Sequence, residues 1–168
     1  MVVALTGCMG SGKSTVGRAL ADMLGCRFID LDEAIVKKAG KTIPEIFSSE
    51  GEAGFRRIEL KTLKAVLPES GTVVLALGGG TLTVPEAAAL IHEKTCCIYL
   101  RASVDTLAER LAPEAEGRPL LKDGDVRERI AALMDARGEI YEKTAHAVID
   151  TDGMDPSDIA EELILSYL

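Results

Sequence analysis

Residues 7–15 read GCMGSGKST, and this stretch decides the fold. An apolar run at residues 2–5 precedes it, and helix-forming sequence follows it. The spacing fits the pattern G-x-x-x-x-G-K-[ST], whose glycines let successive backbone N–H groups turn inward around a polyphosphate. The positive end of the following helix points at the same phosphates. The stretch therefore predicts a phosphate-binding loop between a strand and a helix.

Two side chains of this loop have predicted roles of their own. Lys13 supplies a mobile positive charge, and Ser14 offers its hydroxyl to a Mg²⁺ ion. The residues of the loop that we expect to contact a nucleotide are Gly10, Ser11, Gly12, Lys13, Ser14 and Thr15.

The composition predicts a single acidic domain with an aliphatic core. The chain has 168 residues, of which 47% are hydrophobic and only 4% are aromatic, as expected when helices pack on a parallel sheet. Acidic residues outnumber basic ones by 27 to 19, for a net charge of -8, which argues against a general nucleic-acid binder. Any anionic ligand must then be met by locally clustered arginines and lysines.

Cysteine usage and hydropathy predict the cellular setting. The four cysteines show neither paired CxxC spacing nor nearby histidine ligands, and no apolar run approaches the ~20 residues that a membrane helix needs. The chain starts with a strand-like run rather than a signal peptide. We therefore expect a soluble cytoplasmic protein without a membrane partner.

Strand-like apolar runs alternate with helical periodicity along the chain. Five runs are predicted to be strands: residues 2–5, 26–29, 73–77, 96–100 and 147–149. Such alternation implies parallel strands joined by right-handed crossovers, with helices on both faces. The predicted fold is a three-layer α/β P-loop domain with a five-stranded parallel sheet, and its ligands are expected at the carboxyl ends of the strands.

Two carboxylates follow the second predicted strand. If the chain stays extended there, Asp30 and Asp32 point into the same cleft, because side chains two apart share a face. One carboxylate can then hold Mg²⁺ through water while the other accepts a hydroxyl proton, as phosphoryl transfer requires. The alternative is that Asp30 only caps the next helix.

The third predicted strand ends in three glycines, Gly78, Gly79 and Gly80. They leave bare backbone whose N–H groups a small substrate can approach closely, and they leave a concave space beside the phosphate loop. A plain tight turn is the alternative.

Two arginines are placed where a charge needs a partner. Arg56 lies in a helical insertion after the second strand, with Glu59 one turn away and able to hold its guanidinium. Arg137 falls on the apolar stripe of a long helix that begins near Asp125, so it must meet a buried carboxylate or an anionic ligand. Arg57 is expected to be a solvated surface residue. Arg56 and Arg137 are candidate clamps for a carboxylate, with structural ion pairs as the alternative.

Residues 112–124 are rich in proline, glycine and charge, and they include Arg118. This segment is predicted to be a lid that closes over the transferring phosphoryl group, excludes water and brings Arg118 to the developing charge. Arg110, at the end of the preceding helix, is expected to contact the nucleotide. An ordinary surface loop is the alternative for the segment.

Taken together, these motifs closely resemble those of the shikimate kinase family over essentially the whole chain. The matching features are GCMGSGKST, the pair Asp30 and Asp32, the run FRRIE at residues 55–59, the triple glycine, RPLL at residues 118–121, and Arg137 four residues before Tyr141. The resemblance implies the nucleoside monophosphate kinase fold, with a substrate-binding subdomain at about residues 31–60 and a lid. It also implies that ATP phosphorylates the 3-hydroxyl of shikimate, a step of aromatic amino-acid biosynthesis.

The resemblance further implies roles on the donor side of the site. Lys13 matches the contact to the β- and γ-phosphates, and Ser14 matches a ligand of Mg²⁺, which Asp30 supports through water. Arg118 matches the lid arginine on the phosphates, and Arg110 matches an arginine at the adenine.

On the acceptor side, the resemblance makes Asp32 the carboxylate that binds the reacting hydroxyl. Arg56 and Arg137 match the two arginines that grip the shikimate carboxylate, and the triple glycine matches backbone contacts to the substrate. Phe47 and Phe55 would line the pocket. The implied catalytic residues are Lys13, Asp32 and Arg118.

Two other functions remain open from the sequence. A related small-metabolite kinase such as gluconate kinase would share the loop and the fold but have different substrate motifs. A nucleotide-binding regulatory module would have no reason to combine the triple glycine with paired arginines. The chain is expected to be a monomer.

Overall fold

The computed structural model describes residues 1–117 and 125–168. Five parallel strands form one sheet: β1 (Val2–Thr6), β2 (Arg27–Asp30), β3 (Val73–Ala76), β4 (Cys96–Arg101) and β5 (Ala147–Asp150). Their order in the sheet is β2-β3-β1-β4-β5. Each strand begins and ends within about one residue of a predicted run, so the predicted α/β class and the five-stranded parallel sheet are confirmed.

Helices connect the strands throughout the described ranges. They are α1 (Lys13–Leu24), α2 (Leu31–Ala39), α3 (Ile43–Val66), α4 (Pro85–Lys94), α5 (Val104–Leu111), α6 (Val126–Thr144) and α7 (Pro156–Tyr167). Short 3₁₀ helices follow at Thr81–Thr83 and Ala112–Gly117. Among these described helices, none is long and apolar enough to cross a membrane.

Alternate side chains of the strands enter two separate cores. In β1, Val3 and Leu5 pack with residues of α1 and α7 on one face of the sheet. Val2 and Ala4 pack on the opposite face, with residues of α2 to α6. This period of two is what a parallel sheet covered by helices on both faces requires. It places all the strand ends, and the loops that follow them, at one edge of the sheet.

The insertion between β2 and β3 is helical, as predicted, and consists of α2 and α3. The side-chain oxygen of Thr42 accepts a hydrogen bond from the Glu45 N–H at 3.3 Å and so caps α3. Within α3, Gly51 has φ 69° and ψ -178°, so two helical pieces meet there at a left-handed residue that glycine accommodates best. The second piece carries Arg56.

The predicted extended course through Asp32 is wrong. Helix α2 begins at Leu31, directly after β2, and Asp30 is its N-cap residue. Asp30 Oδ1 accepts a hydrogen bond from the Glu33 N–H at 3.2 Å. Such an acceptor satisfies an N–H group that the start of a helix leaves free, and it stabilises a helix where an extended segment was expected.

Two glycines provide a matched test of this packing. A Cβ at Gly17 of α1 would lie 2.5 Å from Cε2 of Phe28 and 3.4 Å from Cδ1 of Leu5, whereas a Cβ at Gly138 of α6 would meet no atom of a described neighbour within 4 Å. Gly138→Ala is expected to raise the free energy of unfolding by about 0.5–1 kcal/mol through helix propensity. Gly17→Ala gains the same propensity but overpacks the sheet face, so it should be less stable than Gly138→Ala by about 1–3 kcal/mol. Urea unfolding measures both variants, and equal stabilisation by the two substitutions would contradict the packing.

Candidate active site

A cavity of about 570 Å³ opens at the carboxyl ends of the strands. Its lining combines the phosphate loop, the start of α2, the glycine turn after β3 and both candidate clamp arginines. The predicted site residues that line it are Gly10, Ser11, Gly12, Lys13, Ser14, Thr15, Asp30, Asp32, Arg56, Gly78, Gly79, Gly80, Arg110 and Arg137. The structure thus brings these residues together. Arg118 and the rest of residues 118–124 lie outside the described residues.

The phosphate loop has the backbone that its glycines predict. Gly7, Gly10 and Gly12 have φ values of 148°, 80° and 92°. A Cβ at Gly7 would lie 2.6 Å from the Leu100 carbonyl oxygen, so this position tolerates no side chain. Helix α1 begins at Lys13, immediately after the loop. The N-terminus of the helix and the loop N–H groups therefore present positive partial charge at the cavity.

Lys13 is held at this loop by its own backbone. Its Nζ donates hydrogen bonds to the carbonyl oxygens of Gly7 at 2.8 Å and Cys8 at 2.9 Å. The side chain is buried and lines the cavity. An ammonium fixed at this point adds a full positive charge to the partial charges of the loop.

Ser14 and Asp30 form a pair of oxygen ligands beside the loop. The Ser14 hydroxyl donates a hydrogen bond to Asp30 Oδ2, while the other carboxylate oxygen of Asp30 caps α2. Asp30 therefore caps α2, as one of the two interpretations expected, and it also contacts the phosphate loop; its role at Mg²⁺ stays a prediction. Two oxygen ligands suit Mg²⁺, because proteins usually hold this ion with one or two oxygens of their own together with substrate phosphates and water. Among the described residues, no group of three or more His, Cys, Asp or Glu side chains could hold a metal ion.

Asp32 reaches the cavity from the first turn of α2. A Cβ at Gly78 would lie 3.1 Å from Asp32 Oδ1, so the carboxylate stands against the glycine turn. The predicted position of Asp32 in the cleft is thus found, although on a helix instead of an extended segment.

Arg56 and Glu59 form the (i, i+3) pair expected from their spacing. Arg56 Nη1 lies 2.8 Å from Glu59 Oε1, and Glu59 is only 1% exposed. The other oxygen of Glu59 accepts a hydrogen bond from the Thr81 hydroxyl at 2.9 Å. A second carboxylate, Glu52, lies 3.4 Å from Arg56 Nη2 at the surface. Arg57 is exposed, as predicted.

Arg56 has one N–H group, that of its buried Nε, without a hydrogen-bond acceptor among the described residues. Its guanidinium carbon lies 5.1 Å from the ring centroid of Phe55, and the Phe47 ring centroid lies 4.8 Å from that of Phe55. The two rings form an apolar wall beside the charge, as expected for a ligand that combines a carboxylate with a hydrocarbon ring.

The glycine turn is crowded by the arginines and the phosphate loop. A Cβ at Gly80 would lie 2.6 Å from the Arg56 guanidinium carbon. A Cβ at Gly79 would lie 3.2 Å from the Met9 backbone nitrogen and 3.7 Å from Arg137 Nη1. A side chain at Gly80 would therefore displace the Arg56 guanidinium, whereas at Gly79 the tight contact is with the phosphate loop and Arg137 lies at an ordinary van der Waals distance.

Arg137 faces the same turn from α6. It is 6% exposed, and its buried Nη1 finds no hydrogen-bond acceptor in the described part of the chain. A buried guanidinium N–H without an acceptor is costly, and an anionic ligand would remove that cost. One turn along α6, the Tyr141 hydroxyl donates a hydrogen bond to the Gly79 carbonyl oxygen. Burial raises the pKa of Tyr141, so the hydroxyl stays protonated at neutral pH.

The far side of the phosphate loop is bounded by α5 and the loop after β5. Arg110 Nη1 donates to the Gly10 carbonyl oxygen at 3.0 Å. Thr151 and Met154 line the cavity on this side. Hydrogen bonds from Arg101 lower the pKa of Asp150, and hydrogen bonds from Ser103 lower that of Asp152. These two acids therefore hold the loop after β5 to its neighbours.

Two contacts of the site carry no sequence signal of their own. Thr81 meets Glu59 across 22 residues, and Tyr141 meets Gly79 across 62 residues. Tyr141 lies on the same helical stripe as Arg137, but that placement does not identify Gly79 as its partner.

A phosphate loop that shares one cavity with a carboxylate and a pair of arginines defines a P-loop kinase that phosphorylates a small acidic molecule. A family model described as shikimate kinase matches residues 9–167. A shikimate kinase of Geobacter sulfurreducens is 44% identical over 161 residues, covering 96% of this chain and 87% of the relative. The chain belongs to the shikimate kinase family.

Solved structures agree with this assignment. A shikimate kinase from Acinetobacter baumannii in complex with shikimate superposes with a TM-score of 0.93 at 36% identity, covering 98% of this chain and 93% of that one. A shikimate kinase from Aquifex aeolicus superposes with a TM-score of 0.84 at 34% identity, covering 99% and 95%. The protein is thus a nucleotide-binding kinase with the fold of these enzymes.

Proposed function

We propose that this enzyme transfers the γ-phosphate of ATP to the 3-hydroxyl of shikimate, giving shikimate 3-phosphate and ADP. One observation supports this substrate most directly: buried N–H groups of Arg56 and Arg137 lack acceptors in the described residues and line the same cavity as Asp32 and the phosphate loop. A ligand that satisfies all of these groups carries a carboxylate and a hydroxyl. The relative from Acinetobacter baumannii was solved with such a ligand, shikimate.

On the donor side, the loop N–H groups and Lys13 would bind the β- and γ-phosphates of ATP. Lys13 already lies at the loop through its bonds to two carbonyl oxygens. Ser14 would bind Mg²⁺ directly and Asp30 would hold it through water. When bound, Mg²⁺ neutralises charge on the phosphate oxygens. Arg110, which lies on the Gly10 carbonyl, would contact the nucleotide from α5.

On the acceptor side, Arg56 and Arg137 would bind the shikimate carboxylate with planar, forked donors. Bare backbone at Gly78, Gly79 and Gly80 would let the ring approach the turn closely. Asp32 would accept the hydrogen bond of the reacting hydroxyl and take its proton as the new P–O bond forms. Because phosphoryl transfer passes through a loose transition state, the orientation that Asp32 imposes contributes more than its basicity.

The division of the chain follows from these roles. We propose that residues 31–60 form the substrate-binding subdomain, since they carry Asp32, Phe55 and Arg56. Residues 112–124 would form the lid, whose Arg118 would stabilise charge on the transferring phosphoryl group. The monomeric state, the cytoplasmic location and a role in aromatic amino-acid biosynthesis stay predictions from the sequence.

Acceptor identity is tested by following ADP release from MgATP with shikimate, with gluconate and without an acceptor. We expect rapid release with shikimate alone and a slow background in the other two reactions. Faster release with gluconate would contradict the proposed substrate. Equal release in all three reactions would indicate an ATP-binding protein without this transferase activity.

Asp32→Asn is expected to lower kcat by about 10²–10⁴-fold while the KM for ATP stays within about twofold, because a neutral amide neither orients the hydroxyl as the carboxylate does nor takes its proton. Glu33→Gln is the matched control, since Glu33 is the next residue of α2 and pairs with Arg18 at 2.8 Å on the exposed surface. Its kcat should match the wild type. Near-normal turnover of Asp32→Asn would remove Asp32 from the catalytic step.

Arg56→Lys is expected to raise the KM for shikimate by about 10–100-fold with little change in the KM for ATP. The reason is that an ammonium cannot reproduce the planar fork, and hydrogen bonds to charged groups contribute about 1.5–3 kcal/mol. Arg57→Lys, at the exposed neighbouring position, should leave both constants unchanged. Direct titration with shikimate is the measurement, and an unchanged affinity of Arg56→Lys would show that Arg56 does not hold the carboxylate.

A further inference from the structure

The two arginine-bearing helices each send a second side chain to the glycine turn. On α3, Glu59 follows Arg56 by three residues and is joined to the turn through the Thr81 hydroxyl. On α6, Tyr141 follows Arg137 by four residues and donates to the carbonyl oxygen of Gly79. Residues three or four apart lie on the same face of a helix, so each helix presents an arginine and a turn contact together.

Backbone hydrogen bonds within the turn are found for the carbonyls of Gly78 and Gly80 but not for that of Gly79. The Thr81 N–H donates to the Gly78 carbonyl at 3.3 Å, and the Thr83 N–H donates to the Gly80 carbonyl at 3.1 Å. Among the described residues, the donor to the Gly79 carbonyl is the Tyr141 hydroxyl. The orientation of the peptide between Gly79 and Gly80 therefore depends on a side chain of α6.

A peptide between two glycines is easy to rotate, because neither residue has a Cβ that restricts the backbone torsions. The peptide itself is planar and trans, so the Gly79 carbonyl and the Gly80 N–H point in opposite directions. Fixing the carbonyl towards Tyr141 consequently aims the Gly80 N–H away from α6. Tyr141 is fully buried in the core, whereas Gly79 and Gly80 line the cavity.

We propose that Tyr141 is a positioning residue for the acceptor, which locks the peptide between Gly79 and Gly80 so that its N–H faces the bound substrate. Tyr141 is fully buried, and its ring packs at a centroid distance of 5.1 Å and an angle of 43° against Tyr99. The core thus fixes the hydroxyl, and the hydroxyl fixes the peptide. The inference rests on the proposed function, because it assigns the freed N–H to the shikimate site.

Tyr141→Phe keeps the ring and removes the hydroxyl, with its hydrogen bond to Gly79 and its contact to Arg137. We expect it to raise the KM for shikimate about tenfold, the effect of one net hydrogen bond, while the KM for ATP stays within about twofold. Tyr99→Phe is the matched control, because the same atom is removed from the neighbouring buried ring and the described contacts show no hydrogen bond from Tyr99 to the turn. Its KM for shikimate should stay within about twofold of the wild type. Thermal unfolding of both variants measures any general loss of structure.

Replacing Tyr141 with 4-aminophenylalanine restores an N–H donor at the same place and should bring the KM for shikimate back towards the wild-type value. A Tyr141→Phe enzyme with an unchanged KM for shikimate overturns the lock, as does an equal rise of both KM values or a folded 4-aminophenylalanine enzyme without rescue. Wild-type turnover of shikimate is measured in parallel. If the wild type fails to use shikimate, the proposed function fails, whereas normal wild-type turnover with an unaffected Tyr141→Phe enzyme rejects only the lock.

Discussion

Two guanidinium groups, those of Arg56 and Arg137, lie at the wall of one cavity, and the acceptor half of the site depends on how their charges are balanced. Glu59 neutralises Arg56 and is itself 1% exposed. Arg137 is nearly as buried as Glu59, and its Nη1 has no hydrogen-bond acceptor among the described residues. Removing charge from water is costly unless it is paired, so the cavity is prepared for an anion although the chain has a net charge of -8.

The parallel sheet turns these separate features into one site. All five strands end at the same edge, so the phosphate loop after β1, Asp30 at the end of β2 and the glycine turn after β3 are neighbours. The two arginines come from helices α3 and α6, which share one face of the sheet. Donor and acceptor groups therefore face each other across a cavity of about 570 Å³, which is the arrangement that direct transfer between two bound molecules needs.

Local patterns predicted most of this arrangement, because the residues that carry it are fixed by short-range rules. The glycines of the phosphate loop, the (i, i+3) pair of Arg56 with Glu59 and the inward position of Arg137 follow from spacing alone. The conformation of the chain after Asp30 could not be predicted in the same way. The sequence there is compatible with a helix capped by Asp30 and with a continued extended segment. The bond from Tyr141 to Gly79 depends on tertiary packing across 62 residues, which no local pattern encodes. The role of Arg118 stays a prediction.

A crystal structure of the enzyme with shikimate, ADP and Mg²⁺ tests the two-sided site most directly. The shikimate carboxylate should lie between the guanidinium groups of Arg56 and Arg137, with the 3-hydroxyl at Asp32 and facing the β-phosphate held at Lys13. A carboxylate bound away from both arginines, or a 3-hydroxyl turned away from the phosphate loop, would contradict the assignment of the acceptor half.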